Sequence, residues 1–286
     1  MTLTEQGAQG YSGTLRNDAF PTPRRASGEN SPRVLLWHTW ISTKRLLVRF
    51  VRDPMTFVFG IVLPICFLMV TNVVLGDAIK LVTGASALYG SVPLVTLVGV
   101  MNGASVSVLG LVTERSNGLL ARLWVVPVHR ASGLLARVVA DAVRIVLNSC
   151  VLLCIGLILG LQLKQGWLAT VAWLCIPVLF GMAFATLALT VAVYWSNPIL
   201  VEGITLVSAF LLFFCTGFVP LSQYPKWIQP VVEHQPLSYA TEVMRGLTLG
   251  GPILHPLIGI LVWSGAIVVV CAIPLVIGYR RASMRG

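Results

Sequence analysis

Six apolar blocks divide this chain, and they restrict what it can fold into more than any other feature. They run approximately over 55–76, 89–112, 138–161, 167–195, 198–219 and 257–279. Each is near the ~20 residues that carry a helix across the hydrocarbon core of a bilayer. A mean hydropathy of +0.86 with only 10% charged residues leaves too little polar surface to cover a water-soluble core, since soluble domains carry roughly a quarter charged residues. In lipid the backbone must satisfy its own hydrogen bonds, which helices do within one segment. The expected fold class is an all-α integral membrane protein with six transmembrane helices. The fourth block is the longest, with Pro177 as the place for a tilt or kink.

The flanks differ in character. Residues 1–31 are rich in Gly, Ser, Pro and Arg without apolar periodicity, which predicts a disordered tail and leaves 32–286 as the transmembrane domain. Residues 33–52 are amphipathic. Arg45, Arg49 and Arg52 recur at i, i+4 and i+7, and Trp37, Trp40, Ile41, Leu47 and Val51 take another face. That pattern predicts an N-terminal interfacial helix, ended by Asp53-Pro54.

Charge gives the orientation. Eight Lys/Arg lie in the N-terminal segment, five in 113–144 and three in the last eight residues, whereas the alternate loops hold only Lys80, Lys164, Lys226 and Arg245. This bias predicts a multi-pass plasma-membrane protein with both termini and the 113–137 loop cytoplasmic. It also accounts for the net charge of +10 without nucleic acid, because no basic and aromatic groove pattern appears.

Several patterns admit two readings. Cys150 and Cys154 share a helix face, but no His or acidic cluster accompanies them, so they read as small packing residues rather than a metal or redox pair. Gly99-x-x-x-Gly103 and Gly156-x-x-x-Gly160 permit close helix approach without defining a dimer face. Arg137, Asp141 and Arg144 at i, i+4 and i+7 suit mutual pairing or signalling toward a partner. Glu202, one turn after Asn197-Pro198, suits a helix N-terminus better than a proton relay. Phe210, Phe214 and Phe218 at i, i+4 and i+8 make either a substrate path or a face packed against lipid and neighbouring helices.

Two connections carry more. The stretch 113–130, TERSNGLLARLWVVPVHR, offers polar handles (Glu114, Arg115, Arg122) and an apolar side (Leu119, Leu120, Leu123, Trp124) before Pro127 closes it. By residues alone it is an ordinary interfacial loop or a helix gripped by a partner. The stretch 216–246 is too apolar for a solvated loop and is broken by Pro220, Pro225, Pro230 and Pro236. Short re-entrant or interfacial helices on the outer side fit it, with Glu242 and Arg245 able to pair.

At these two places the chain resembles permease subunits of ABC-2 type exporters, of the daunorubicin/doxorubicin-resistance type and close to the mycobacterial dimycocerosate-export subgroup. The likeness spans about 33–286. It is carried by Glu114-Arg115, Gly118-Leu119 and Pro127, and by Gly217, Pro220, Pro225-x-Trp227-Ile228, Pro236-Leu237-x-Tyr239 and Arg245-Gly246. RLWVVPVHRASGLLAR and IGYRRAS point to the mycobacterial subgroup. The resemblance implies a coupling helix after the second span, with Glu114, Arg115, Gly118, Leu119, Arg122 and Pro127 seated on a separate ATPase, and an outer re-entrant motif with Pro225, Trp227, Pro236, Tyr239, Arg245 and Gly246. Where the family often has a further Glu after the Gly, this chain runs Leu119-Leu120-Ala121.

None of the four lysines sits in a phosphate-binding loop, so this chain is expected to bind no cofactor, with ATP and magnesium held by the partner ATPase. The expected complex has two ATPase copies and a second permease, or a second copy of this chain. It would move a bulky hydrophobic or amphiphilic substrate outward: a complex lipid such as a dimycocerosate, or an anthracycline-type drug. The alternatives are a non-transporting assembly protein and an intramembrane enzyme. His38, His129, His234 and His255 all lie outside the apolar blocks, which disfavours the enzyme.

Overall fold

A computed structural model describes residues 32–54, 58–83, 86–116, 132–194 and 199–284. The expected tail at 1–31, the coupling residues Gly118, Leu119, Arg122 and Pro127, and the Asn197-Pro198 turn lie outside the described residues.

Among the described residues the regular structure is helical. α1 spans Pro32–Arg52, and a π-helical turn, Val58–Val62, leads into α2, Leu63–Thr83. Then come α3 (Leu88–Ser116), α4 (Ser132–Ile158), α5 (Gly166–Tyr194) and α6 (Ile199–Phe213). A 3-10 turn, Leu221–Gln223, precedes two short helices, α7 (Gln229–His234) and α8 (Pro236–Leu249), and α9 closes the chain at Leu254–Met284. Among the described residues four helices are long and apolar enough to cross a membrane by length and composition: α3, α4, α5 and α9. The apolar parts of α2 and α6, Gly60–Val74 and Glu202–Phe213, are shorter. At the expected first span the helix α2 continues to Thr83, and at the expected fifth span the helix α6 ends at Phe213, where the chain turns through Gly217.

α3 is the central helix. It packs on α2, α4, α5, α6 and α8, and 67% of its apolar window is buried, against 22% for α9. Small residues allow that crowding. A Cβ on Gly90 would stand 2.2 Å from the Gly217 carbonyl oxygen, so α3 and the turn after α6 meet backbone to backbone. The core around them holds Leu94, Leu97, Met101, Trp173, Phe180 and Met244. Several hydroxyls inside the helices bond back to their own helix, as Thr96 does to the Val92 carbonyl at 2.8 Å and Thr186 to Met182 at 2.7 Å. They therefore need no outside partner in an apolar setting. α9 lies mainly along α5, tied by the Tyr194 hydroxyl donating to the Pro274 carbonyl at 3.1 Å.

α1 is amphipathic as expected, but its buried stripe differs from both faces expected of it. Trp37, Trp40 and Val51 are exposed, whereas Thr39 and Thr43 are buried. The Thr43 hydroxyl donates to the Ala136 carbonyl of α4 at 3.4 Å. Small polar side chains allow the two helices to approach closely, and hydropathy alone does not mark such a stripe. The glycine pairs also divide. Cβ atoms on Gly99 and Gly156 would meet Asn148 and Val92, whereas one on Gly103 or Gly160 would meet nothing within 4 Å.

Candidate functional site

The described part of the site begins where α3 ends. Glu114 sits in the last turn of α3, 6% exposed, at the root of the segment that continues into 117–131. Its carboxylate accepts a hydrogen bond from Arg137 of α4, also 6% exposed, and Arg49 and Arg45 of α1 approach at 3.7 and 4.0 Å. The pairs are unequal. The Arg45 and Arg49 side chains are more than half exposed, so water screens them and each contributes about 0–1 kcal/mol. Arg137 is desolvated, and removing its partner would leave a buried charge unpaired, a loss of about 3–5 kcal/mol. The Glu114–Arg137 pair is therefore the strong member of this clasp.

One turn deeper a second cluster forms. Asp141 accepts from the Ser107 hydroxyl and from Arg144 at 3.3 Å, and Arg144 also reaches Ser107 at 3.2 Å. The Phe50 ring of α1 lies 4.9 Å from the Arg144 guanidinium, a cation–π approach. Together these groups line a polar cavity of about 140 Å³ between α1, α3 and α4.

This arrangement revises two expectations. Arg137, Asp141 and Arg144 do not form one ladder. Asp141 and Arg144 pair, but Arg137 turns to Glu114 on the neighbouring helix, since a carboxylate buried there had no other desolvated cation within reach. Glu114 itself is occupied inside the chain rather than held out as a handle. The missed partners Arg45, Arg49, Arg137 and Ser107 had one signal in the sequence: intramembrane ionisable residues require a partner. Which partner depended on packing.

The opposite end carries the second predicted motif. α6 ends in apolar surroundings with its last carbonyls free of intrahelical partners. Side chains satisfy them. Gln235 donates to the Phe214 carbonyl and to Leu211 at 3.3 Å, and the Tyr224 hydroxyl bonds the Phe213 and Cys215 carbonyls at 3.2 and 3.0 Å. Burial raises the Tyr224 pKa above its ordinary value. Ser238 accepts from the Thr216 backbone N–H, and Trp263 of α9 donates to the His234 carbonyl at 2.8 Å.

The motif residues serve this cap. Tyr239 is buried with its ring against Gly259, and Gly246 is buried with its carbonyl accepting from Gly250, which closes α8 in the left-handed region at φ 89°. Pro236 starts α8 at its first position, where a missing N–H costs nothing. Pro225 and Trp227 are exposed. Arg245 lines a cavity of about 200 Å³ with Ser86, Tyr89 and Thr216. Among the described residues the ion pairs centre on Glu114 and Asp141, and Glu242 with Arg245 is not one of them. The rotation of α8 follows from burying Leu237, Ala240, Val243 and Met244 and leaves both charges on the rim.

The phenylalanine row is interrupted. Phe210 and Phe214 pack at 4.6 Å, but Phe218 lies past the end of α6 and meets Phe67 of α2 edge-on at 6.2 Å. The cysteines are free thiols, with Cys154 exposed and Cys150 half-buried.

By length and composition, the long apolar helices packed around the buried charge cluster are those of a polytopic membrane protein. The match to the ABC-2 type transporter family model covers residues 38–249, and the chain belongs to that family. It is 49% identical over 262 residues, 91% of this chain and 95% of the relative, to a probable doxorubicin resistance ABC transporter permease protein, DrrC, of Mycobacterium tuberculosis. It is 25% identical over 250 residues, 86% of each chain, to the daunorubicin resistance ABC transporter permease protein DrrB1 of Streptomyces coeruleorubidus. Such subunits are the membrane part of a transporter, not enzymes, and they work with an ATPase partner.

Proposed function

We propose that this chain is the permease of an ATP-driven exporter that carries a bulky hydrophobic or amphiphilic substrate outward across the plasma membrane. The cargo class is a complex lipid, such as a dimycocerosate, or an anthracycline-type drug. The likeness to permeases named for doxorubicin and daunorubicin resistance supports the class. In this reading α2 and α6 complete six spans, both termini and the segment 117–131 face the cytoplasm, and α7 with α8 covers the outer side. Two permeases, either two copies of this chain or this chain with a second one, sit on two ATPase subunits that hold ATP and magnesium.

The observation that carries the mechanism is the Glu114–Arg137 clasp at the root of 117–131. A coupling segment transmits force only if its root is rigidly joined to the spans. Glu114 joins α3 to α4 directly and to α1 through Arg45 and Arg49. Movement of Arg115, Gly118, Leu119, Arg122 and Pro127 on the ATPase would then turn three helices together. The exposed faces of α6 and α9, with Phe210, Phe213, Val269 and Ile273, are broad enough for lipid, a second permease or cargo.

The test is uptake by inverted vesicles containing the chain and its ATPase, with doxorubicin and a dimycocerosate offered separately. ATP-dependent uptake of one of them is expected, and Glu114→Ala with Arg115→Ala should lower uptake and substrate-stimulated ATPase together. Lys164→Ala, on the outer side, should be near neutral. Normal uptake by the double variant would reduce the segment to a connector.

A further inference from the structure

Beside the polar cavity lies a larger apolar one of about 290 Å³, bounded by α1, the π-helical turn, α3, α4 and α5. Aliphatic side chains such as Leu47, Ile61 and Ile145 form its walls, and one glycine leaves part of it unfilled. A Cβ on Gly103 would meet nothing within 4 Å, so this position opens onto free space. Phe50, Asp141 and Arg144 line both cavities, so the two chambers share a boundary.

Apart from Asp141 and Arg144 at the boundary with the polar cavity, Asn148 is the polar side chain that lines the apolar chamber. Asn148 of α4 is 8% exposed, and neither its amide nitrogen nor its amide oxygen has a hydrogen-bond partner. A buried amide left in this state costs about 1–3 kcal/mol, and more where no water competes. Gly99 makes room for it, since a Cβ there would stand 2.7 Å from the amide nitrogen. The space and the polar group occur together.

We propose that this chamber binds a single-chain, uncharged amphiphile, whose head exchanges hydrogen bonds with the Asn148 amide and whose tail lies along Gly103. An amide both donates and accepts, which matches an ester, amide or hydroxyl group. A charged head is disfavoured. The polar cavity next door is lined by Arg49, Arg137 and Arg144 against Asp53, Glu114 and Asp141, so its formal charges cancel. The proposal concerns occupancy of this chain alone, without ATPase, and so stands or falls separately from the export reading.

The test uses purified chain in detergent and radiolabelled 1-oleoylglycerol as probe, with hexadecane and oleate as competitors. One saturable site per chain is expected, displaced by unlabelled 1-oleoylglycerol and by neither competitor. Asn148→Leu should weaken binding about tenfold, the loss of a buried hydrogen-bonding partner, and Gly103→Leu should abolish it by filling the chamber. Asn148→Leu should also melt no lower than the native chain without probe, because it removes an unsatisfied buried amide. A merely structural Asn148 would instead lower that midpoint. Absence of saturable binding, unchanged binding in both variants, or equal displacement by hexadecane would overturn the inference.

Discussion

The two ends of the bundle solve the same problem by different means. Each must join a helix terminus to neighbouring helices in a largely apolar setting. At the α1 end the joint is ionic: Glu114 and Asp141 are buried and held by Arg137, Arg144 and Ser107. At the α8 end it is neutral: Gln235, Tyr224 and Ser238 satisfy the backbone after α6, and apolar packing of α8 does the rest. The difference has a consequence for behaviour. Breaking a buried ion pair strands a charge, so the ionic joint holds firmly or fails as a unit. A neutral cap loses about one hydrogen bond at a time.

The largest effect is expected from Glu114→Ala. It should lower stability by about 3–5 kcal/mol, read from thermal unfolding in detergent. Adding Arg137→Leu should recover much of that loss, because Arg137 is then no longer left as a buried charge without its partner. A loss under about 1 kcal/mol would mean the two ends are alike after all.

Gln235→Leu comes next. It strands the Phe214 carbonyl and weakens the end at Leu211, for a loss of about 1–3 kcal/mol. Hydrogen exchange should quicken at residues 211–216 and stay unchanged around Glu114. Acceleration at both ends would dissolve the distinction between them.

Tyr224→Phe keeps the ring and removes one donor, so about 0.5–1.5 kcal/mol should be lost. The same measurement checks it, with the change confined to the α8 end.

Smallest is the double change Arg45→Ala with Arg49→Ala. Both guanidinium groups are more than half exposed, so stability should fall by less than about 1 kcal/mol, and added salt should erase the difference. A larger, salt-resistant loss would move the strong contact of the clasp from Arg137 to α1.

Hydropathy marks six blocks, and at four of them α3, α4, α5 and α9 are long and apolar enough to cross a membrane. The proline spacing in 216–246 predicts a broken segment, and the short helices α7 and α8 lie there. Hydropathy does not show where α6 ends, since apolar residues continue past Phe213 while the backbone turns toward Gly217 against Gly90. Gly217, Tyr239 and Gly246 stand in the sequence as a signature, and their steric roles appear only where Leu94, Gly259 and Ile253 press on them.

What the sequence determined by itself was helicity and burial in lipid, through side-chain transfer energies that need no neighbours to be evaluated. Pairing was decided by tertiary structure. Glu114 and Arg137 stand 23 positions apart on different helices, and Asp141 finds Ser107 34 positions away. A carboxylate states in the sequence that it needs a cation, but the attraction weakens as the separation grows, so only the packing of α1, α3 and α4 selects which cation answers.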